Sequence, residues 1–505
     1  MSQAGSNLGS RSISAVFWGA GGTVLRMVLQ IGAQITLARL LGPEQYGVFA
    51  IGATVISFSG FFSDIGLAYG LIQKTDVTPR DVRFVFTWQI ILGSGVTALV
   101  WAAASPIAQF FGEPRAADVV RVLSVLCLLN ALAAPSLNLL KRQLDFKQIH
   151  IAQLASYVVG YILVGIPMAV AGSQVWALVA AWIVQSSLNL LLLYRATRHA
   201  VTPLFWYDQG RSQSSYGGTV LATNLVNWVV SNVDRIVIGR VFGSRDIGLY
   251  ATSYNLLYNP TAAVLGVVQP VFFSASSRMT DDADRILRGY RTLLGVVSLL
   301  ALPAFVMVAV ASEAFIALLY GPQWQAAAAL CRPIALAMPL FLVWGITTPL
   351  LWTAGRPGRE IQLQLPLAIV WSVVCVLAAA RSVETVAWCV LLLSGLRCGL
   401  VLAAAVRLLK IPPGELWRGV RGGILVSVVV AILVALIEWR LASLGSAWRV
   451  LCSALAAGLA WLAVVRLVPA AMPAEFSQLL RKLLDRLPTK WRNALGVLVF
   501  GRSRW

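Results

Sequence analysis

Five charged residues and one amide, set in otherwise apolar runs, are where this chain could do chemistry: Arg26, Asp64, Asp234, Arg235, Arg332 and Asn227. A charge in such a run costs about 2.5 to 3.5 kcal/mol on membrane-insertion scales, so each asks for a partner or a task. Arginine there suits an anion, because its planar guanidinium donates paired hydrogen bonds to phosphate or carboxylate and stays charged. Arg26 falls midway along the first run. Asp64 in the second run differs from it in depth by roughly 5 to 8 Å, at about 1.5 Å of rise per residue. Such a pair is either a static bridge or one that an incoming anion displaces. Asp234 and Arg332 share a depth of about 10 to 15 Å from one helix end and form a second candidate pair. Asp234 and Arg235 are adjacent, and adjacent residues do not face each other on a helix, so Arg235 needs another partner or points into a cavity. Asn224, Asn227, Asn232 and Asn255, with Tyr254 and Tyr258, add amides and phenols. These suit sugar hydroxyls and interhelical hydrogen bonding equally well. Arg39 and Arg240 stand at helix ends, where capping or snorkelling accounts for them. Glu313 and Arg397 read as structural charges.

The elements that position these residues follow from composition. The 505 residues are 58% hydrophobic and 12% charged, more apolar surface than a soluble core can hide. Apolar runs longer than about 18 residues recur along the chain, each able to cross a hydrocarbon layer as a helix. The runs are continuous and do not alternate, so helices satisfy the backbone within lipid and a barrel is excluded. Breaks at charges, Pro and Gly predict an all-α integral membrane protein of about 14 transmembrane helices between residues 12 and 468.

Lys and Arg supply the orientation. With the N-terminus placed inside, only eight fall on outer connections: Arg39, Arg115, Arg121, Arg240, Arg245, Arg381, Arg440 and Arg449. Most of the remaining Lys and Arg fall on inner ones, which predicts both termini in the cytoplasm. The same bias accounts for the formal net charge of +20 as a membrane-surface property, with no nucleic-acid partner implied.

A repeat organises the chain further. Sliding it by 201 residues sets "LARLLGPEQYGVFA" at 37–50 on 238–251 of "VIGRVFGSRDIGLYA" (237–251), matching Arg39 with Arg240, Gly42 with Gly243, Gly47 with Gly248 and Ala50 with Ala251. Both copies straddle an odd-to-even hairpin whose Gly can take positive φ. Six helices separate the copies, so the two halves have the same orientation, as parallel repeats about an axis along the membrane normal. The predicted organisation is a six-helix lobe at 1–197, a linker at 198–213, a second six-helix lobe at 214–408, helices 13 and 14 at 409–469, and a cytoplasmic amphipathic tail at 470–505. In that tail Phe476, Leu480, Leu484 and Leu487 share a helix face opposite Arg481, Lys482 and Asp485. This reads as a surface helix on anionic lipid or on a partner.

Other signals are bland. The polar start "MSQAGSNLGSRS" precedes a run too long for a signal-peptide core, so the N-terminus is expected to be retained. The six cysteines lie in apolar runs without C-x-x-C spacing and read as small hydrophobes, with no disulfide and no metal site. His150 and His199 read as interfacial polar residues. Pro303, Pro333, Pro339, Pro349 and Pro366 are candidate helix kinks. No G-x-x-x-x-G-K-[ST] loop is present, so ATP hydrolysis is not expected, and no cofactor is implied.

The stretches "LARLLGPEQYGVFAIGATVISFSGFFSDIGLAYGLIQ" and "NVDRIVIGRVFGSRDIGLYATSYNLLYNPTAAVLGVVQPVFF" resemble the bacterial polysaccharide biosynthesis/export family. This comprises the Wzx-type flippases within the multidrug/oligosaccharidyl-lipid/polysaccharide exporter superfamily. The resemblance implies a transporter of the inner membrane, not an enzyme, that moves undecaprenyl-pyrophosphate-linked oligosaccharides to the outer leaflet by alternating access. It implies membrane lipids and polysaccharide polymerase or export machinery as partners. An ion-coupled small-molecule antiporter of the same superfamily is the alternative; it would favour carboxylates over arginines in its cavity. A membrane glycosyltransferase would need a large outer loop, and the outer connections here are short.

Overall fold

The computed structural model describes residues 2–63, 67–74, 76–207, 210–277, 283–353, 358–409, 412–468, 472, 474–485, 492–493 and 499. Among them there are helices and short connections and no strand, as continuous apolar runs require. Ten helices in the described residues are long and apolar enough to cross a membrane, so the chain is a multi-pass, all-helical membrane protein. The fourteen expected runs map unevenly onto them. The first two form one element, Ser2–Ser63, broken at Gly42 (φ 76°, ψ 171°). Gly210–Phe242 and Ser244–Ser277, with 33 and 34 residues, are long enough to cross as well but are not among the ten. Gln364–Ala379 is an apolar stretch within the 22-residue helix Gly358–Ala379.

The chain divides into two compact units. The first comprises Met1–Thr252 with Ala368–Val383, the second Ser253–Leu367 with Glu384–Trp505. In the first, Gly42, Gly112, Gly172 and Gly243 have positive φ and turn the chain between antiparallel helices. A side chain at Gly42 or Gly243 would meet the steric cost of left-handed backbone, about 1 to 2 kcal/mol. These turns define a hairpin end; the alternate connections, near Lys74, Arg142 and Arg198, define a basic end. The Pro79–Phe111 helix shows how the sequence sets both. It starts at a capping box in which Thr78 N–H donates to Asp81 Oδ2 (2.8 Å) with Pro79 at the first position, and it stops at left-handed Gly112. Apolar clusters fill the unit: Leu67, Leu71 and Val85 with Phe84 near the basic end, and Leu37 with Ala177 and Leu178 near the hairpin end.

In the second unit, Pro303 shapes the helix before it. Proline has no N–H for the carbonyl four residues earlier and crowds it, and the preceding Val297–Ala301 turn is π-helical. The freed Leu299 carbonyl accepts instead from Trp461 Nε1 (2.8 Å), which ties the Ser446–Leu467 helix to this kink. Pro333, Pro339 and Pro349 lie within one continuous helix, Ala327–Thr353. The Ala474–Leu484 helix is amphipathic as read, but its apolar face finds protein. Phe476 is buried in a cluster with Leu299, Val426, Val430 and Val464, and Leu480 and Met472 pack against it. The described part of the tail is thus covered by its own chain, a docking that helical periodicity alone does not reveal.

Candidate functional site

The first unit brings together one polar cluster at mid-span. Arg26 is half-buried and donates from Nη1 to Gln153 Oε1 at 2.6 Å. Four residues on, Tyr157 donates to the Gln30 carbonyl (3.5 Å) and stacks on Tyr161, ring centroids 4.7 Å apart. Gln153, Tyr157 and Tyr161 lie at i, i+4 and i+8, one face of the Phe146–Val170 helix, turned toward the first. Arg26 therefore meets a neutral amide, and its Nε is buried without a hydrogen-bond partner among the described residues. Its expected partner Asp64 lies outside the described residues. A guanidinium held by an amide keeps its full charge and spare donors, the condition for receiving an anion. The Gln153–Tyr157–Tyr161 spacing was readable in the sequence; the direction of that face was not.

The other candidates separate. Asp234 is 2% exposed; the Tyr250 hydroxyl donates to its Oδ2, and Arg235 N–H donates to Oδ1 at 2.9 Å. Arg332, expected as the partner of Asp234, is held by Glu313, Nη2 to Oε1 2.5 Å, and by Ser312 Oγ (3.0 Å). It is exposed at the start of its helix, where depth matching could not tell Asp234 from a carboxylate on a neighbouring turn. Glu313 thus pairs with Arg332. Arg235 and Asn227 are half-buried. The Asn227 carbonyl accepts from Ser231 Oγ (2.8 Å), while Asn232 Nδ2 donates to the Trp228 carbonyl (3.0 Å), so part of this amide row serves its own helix. Trp228 Nε1 donates to Ser57 Oγ (2.9 Å) and its ring packs on Phe58. In the second unit Arg397 is buried, donates to Gln364 Oε1 (2.9 Å) and lies 3.7 Å from the centre of the Trp344 ring. Tyr254, Tyr258, Phe341 and Trp344 form a chain of ring contacts leading to it.

Two clusters at the helix ends were not anticipated. At the basic end Asp81 is fully buried, paired with Lys74 Nζ at 2.6 Å, and accepts from the Tyr207 hydroxyl. Burial, then donation to this carboxylate, pushes the Tyr207 phenol above its ordinary value. Arg83 donates to the Thr202 and Pro203 carbonyls (3.0 and 3.2 Å), Trp88 Nε1 to the Phe205 carbonyl (3.2 Å), and Leu204 N–H to Thr87 Oγ1 (2.8 Å). The 198–207 segment is strapped to the Pro79–Phe111 helix, with Phe205 and Trp206 exposed. At the hairpin end Arg115 grips Glu44 (2.7 Å) and Glu113 (2.8 Å). Its hydrogen bonds hold the Glu113 carboxyl below the ordinary value despite burial, helped by Ser244.

Comparisons place this geometry among known proteins. The profile of the family described as "Polysaccharide biosynthesis protein" matches residues 36–329. Lipopolysaccharide biosynthesis protein WzxC of Escherichia coli (strain K12) is 22% identical over 325 residues, 63% of this chain and 65% of that protein. Succinoglycan biosynthesis transport protein ExoT of Rhizobium meliloti (strain 1021) is 25% identical over 62% of each chain. The matches therefore span somewhat under two thirds of these relatives. In fold, a solved structure of lipid II flippase MurJ in an inward closed conformation aligns with TM-score 0.72 and 12% identity, over 93% of this chain and 100% of that one. An inward-facing multidrug resistance MATE transporter of the MOP superfamily aligns at 0.56 with 11% identity, over 76% of this chain and 94% of that one.

Proposed function

Because the chain belongs to the polysaccharide biosynthesis protein family, we propose that it is a transporter that flips an undecaprenyl-pyrophosphate-linked oligosaccharide across the bacterial inner membrane by alternating access. The observation that carries this reading is Arg26. It is a mid-span guanidinium held by a neutral amide, with a buried Nε left over, which suits a pyrophosphate, while the neighbouring Tyr157 and Tyr161 suit sugar. Arg235, Asn227 and Asp234 on the Gly210–Phe242 helix are further candidates for the head-group path, with Arg332 more remote because Glu313 holds it. Fourteen crossings in two pseudo-symmetric six-helix lobes, with both termini cytoplasmic, complete the proposal; the basic end is then the inner face and the hairpin end the outer. Moving an anion outward from a negative interior is downhill by about 2.3 kcal/mol per charge per 100 mV, so the membrane potential gives direction without ATP. Transport names among the relatives, ExoT's in particular, support the reading.

The test deletes the gene in its host and measures lipid-linked oligosaccharide in each leaflet, with rescue by the parent chain and by Arg26→Ala. Accumulation on the inner leaflet, rescued by the parent and not by Arg26→Ala, is the expected result. Normal glycan export with altered resistance to small cations would replace this reading with the antiporter one.

A further inference from the structure

The two copies of the repeated hairpin touch each other, and they do so reciprocally. A Cβ on Gly47 would lie 1.6 Å from the Ser244 carbonyl oxygen and 2.4 Å from its carbon; a Cβ on Gly248 would lie 1.9 Å from the Pro43 carbonyl oxygen and 2.9 Å from Gly47 N. Pro43 and Ser244 are 201 residues apart, as are Gly47 and Gly248. Each contact is thus the image of the other under the internal repeat. Backbone carbonyls cannot rotate away as a side chain would, so neither position admits a side chain while this contact is made. Gly423 and Gly160 also meet opposing carbonyls, of Ser298 (2.0 Å) and Ala181 (2.5 Å), but neither contact has an image under the repeat, and Gly32 and Gly60 face nothing within 4 Å.

Around this contact Arg115 and Glu44 are half in water, while Glu113 and Ser244 are buried. Arg115 bridges Glu44 beside Pro43 to Glu113, and Glu113 in turn engages Ser244. Exposed ion pairs of this kind contribute little to stability. The junction is made by shape: water can replace the Arg115–Glu44 pair, and the buried Glu113 keeps Arg115, two residues along the same connection, so no charge is left alone when it separates.

We propose that the Gly47–Ser244 and Gly248–Pro43 contacts form the outer closure of the transport path, parting and re-forming in each cycle, and that glycine is required at both positions for the path to shut. The cycle and what passes through rest on the flippase reading above; the contact between the two hairpins does not.

The test places spin labels on cysteines substituted for Arg39 and Arg240, exposed equivalents one turn before the hairpin glycines, in a chain whose six native cysteines are replaced. Distances across the junction are read in the full chain in lipid nanodiscs. The parent is expected to show a dominant short-distance population. Gly47→Ala and Gly248→Ala should each reduce it at least fivefold in favour of longer distances, while Gly32→Ala leaves it unchanged. A folded Gly47→Ala or Gly248→Ala chain that keeps the parent distribution would overturn the proposal. Should the alanine variants not fold, the decision moves to a disulfide between Glu44→Cys and Arg245→Cys. Reversible arrest of export on oxidation supports the closure, and undiminished export by the cross-linked chain rejects it. A parent that exports no glycan sinks the flippase reading alone, since the label distances still report on the junction.

Discussion

At the hairpin end of the first unit, backbone meets backbone across Gly47 and Gly248, and the side chains that help, Arg115 and Glu44, are half in water. At the basic end the relation is reversed. There the buried Asp81 carboxylate is paired with Lys74 and bonded by Tyr207, while Arg83, Trp88 and Thr87 bind the backbone of 202–205. Arg142 caps the Leu67–Gln73 helix by donating to the Leu71 (3.2 Å) and Lys74 carbonyls. Opening the hairpin end leaves the buried Glu113 with Arg115, two residues along the same connection, and exposes surface that water wets at small cost. Opening the basic end would strand a buried carboxylate and several backbone groups, each expensive in a low dielectric. One end is built to part, the other to hold.

The sharpest way to break this contrast is Asp81→Ala. It leaves Lys74 and Tyr207 without their acceptor, and removing one member of a buried pair costs about 3 kcal/mol or more. The unfolding midpoint in detergent should drop accordingly, with Asp81→Asn recovering part; a loss below about 1 kcal/mol would mean that packing alone holds this end. Next in size, Arg26→Ala is expected to cut glycan export about tenfold or more, roughly 1.4 kcal/mol, with little change in midpoint. Arg26→Lys should fall between, since a point charge lacks the paired donors. Equal losses of stability and export would make Arg26 a structural residue. Arg83→Ala should loosen the strap by about 1 kcal/mol, seen as faster proteolysis within 198–207 and no change in the junction distances at the opposite end.

The smallest effect belongs to the exposed clamp. Arg115→Ala should cost no more than about 1 kcal/mol. Its pH dependence follows from Glu113, whose carboxyl is held below its ordinary value by Arg115. A depressed carboxyl stabilises the fold fully above the ordinary glutamate range and loses that contribution as pH falls through the lower folded value. The difference between the parent chain and Glu113→Gln should therefore be constant from about pH 5 to 8 and shrink below about pH 4. A difference that grows on acidification would show that Arg115 does not set it.

What the residues revealed in advance, and what they hid, divides along sequence separation. The hairpin glycines are local and were legible as helix boundaries; the capping box Thr78–Asp81 is as local but was not read from the sequence. The repeat at 37–50 and 237–251 was legible too, yet nothing in the pattern said that its two copies lie against each other. Arg26 was legible as a charge needing a partner. Depth matching chose Asp64, which lies outside the described residues; the partner the structure describes is Gln153, 127 residues away. Depth is only one coordinate of a side chain in a bundle; rotation about the helix axis and the identity of the neighbouring helix are the others, and hydropathy carries neither.

Composition and periodicity alone therefore determined that this is a helical membrane protein with a duplicated hairpin and a lysine- and arginine-rich face. Those properties follow from the cost of burying peptide groups and charges in lipid, which acts on each segment independently. Tertiary structure decided the rest: that Asp81 meets Tyr207, that the amphipathic tail covers its own core at Phe476, and that Gly47 and Gly248 meet opposing carbonyls. Each of these depends on which helix lies beside which, and within a bilayer that choice is made by close packing and hydrogen bonds between segments, information carried by pairs of distant residues and by no single stretch.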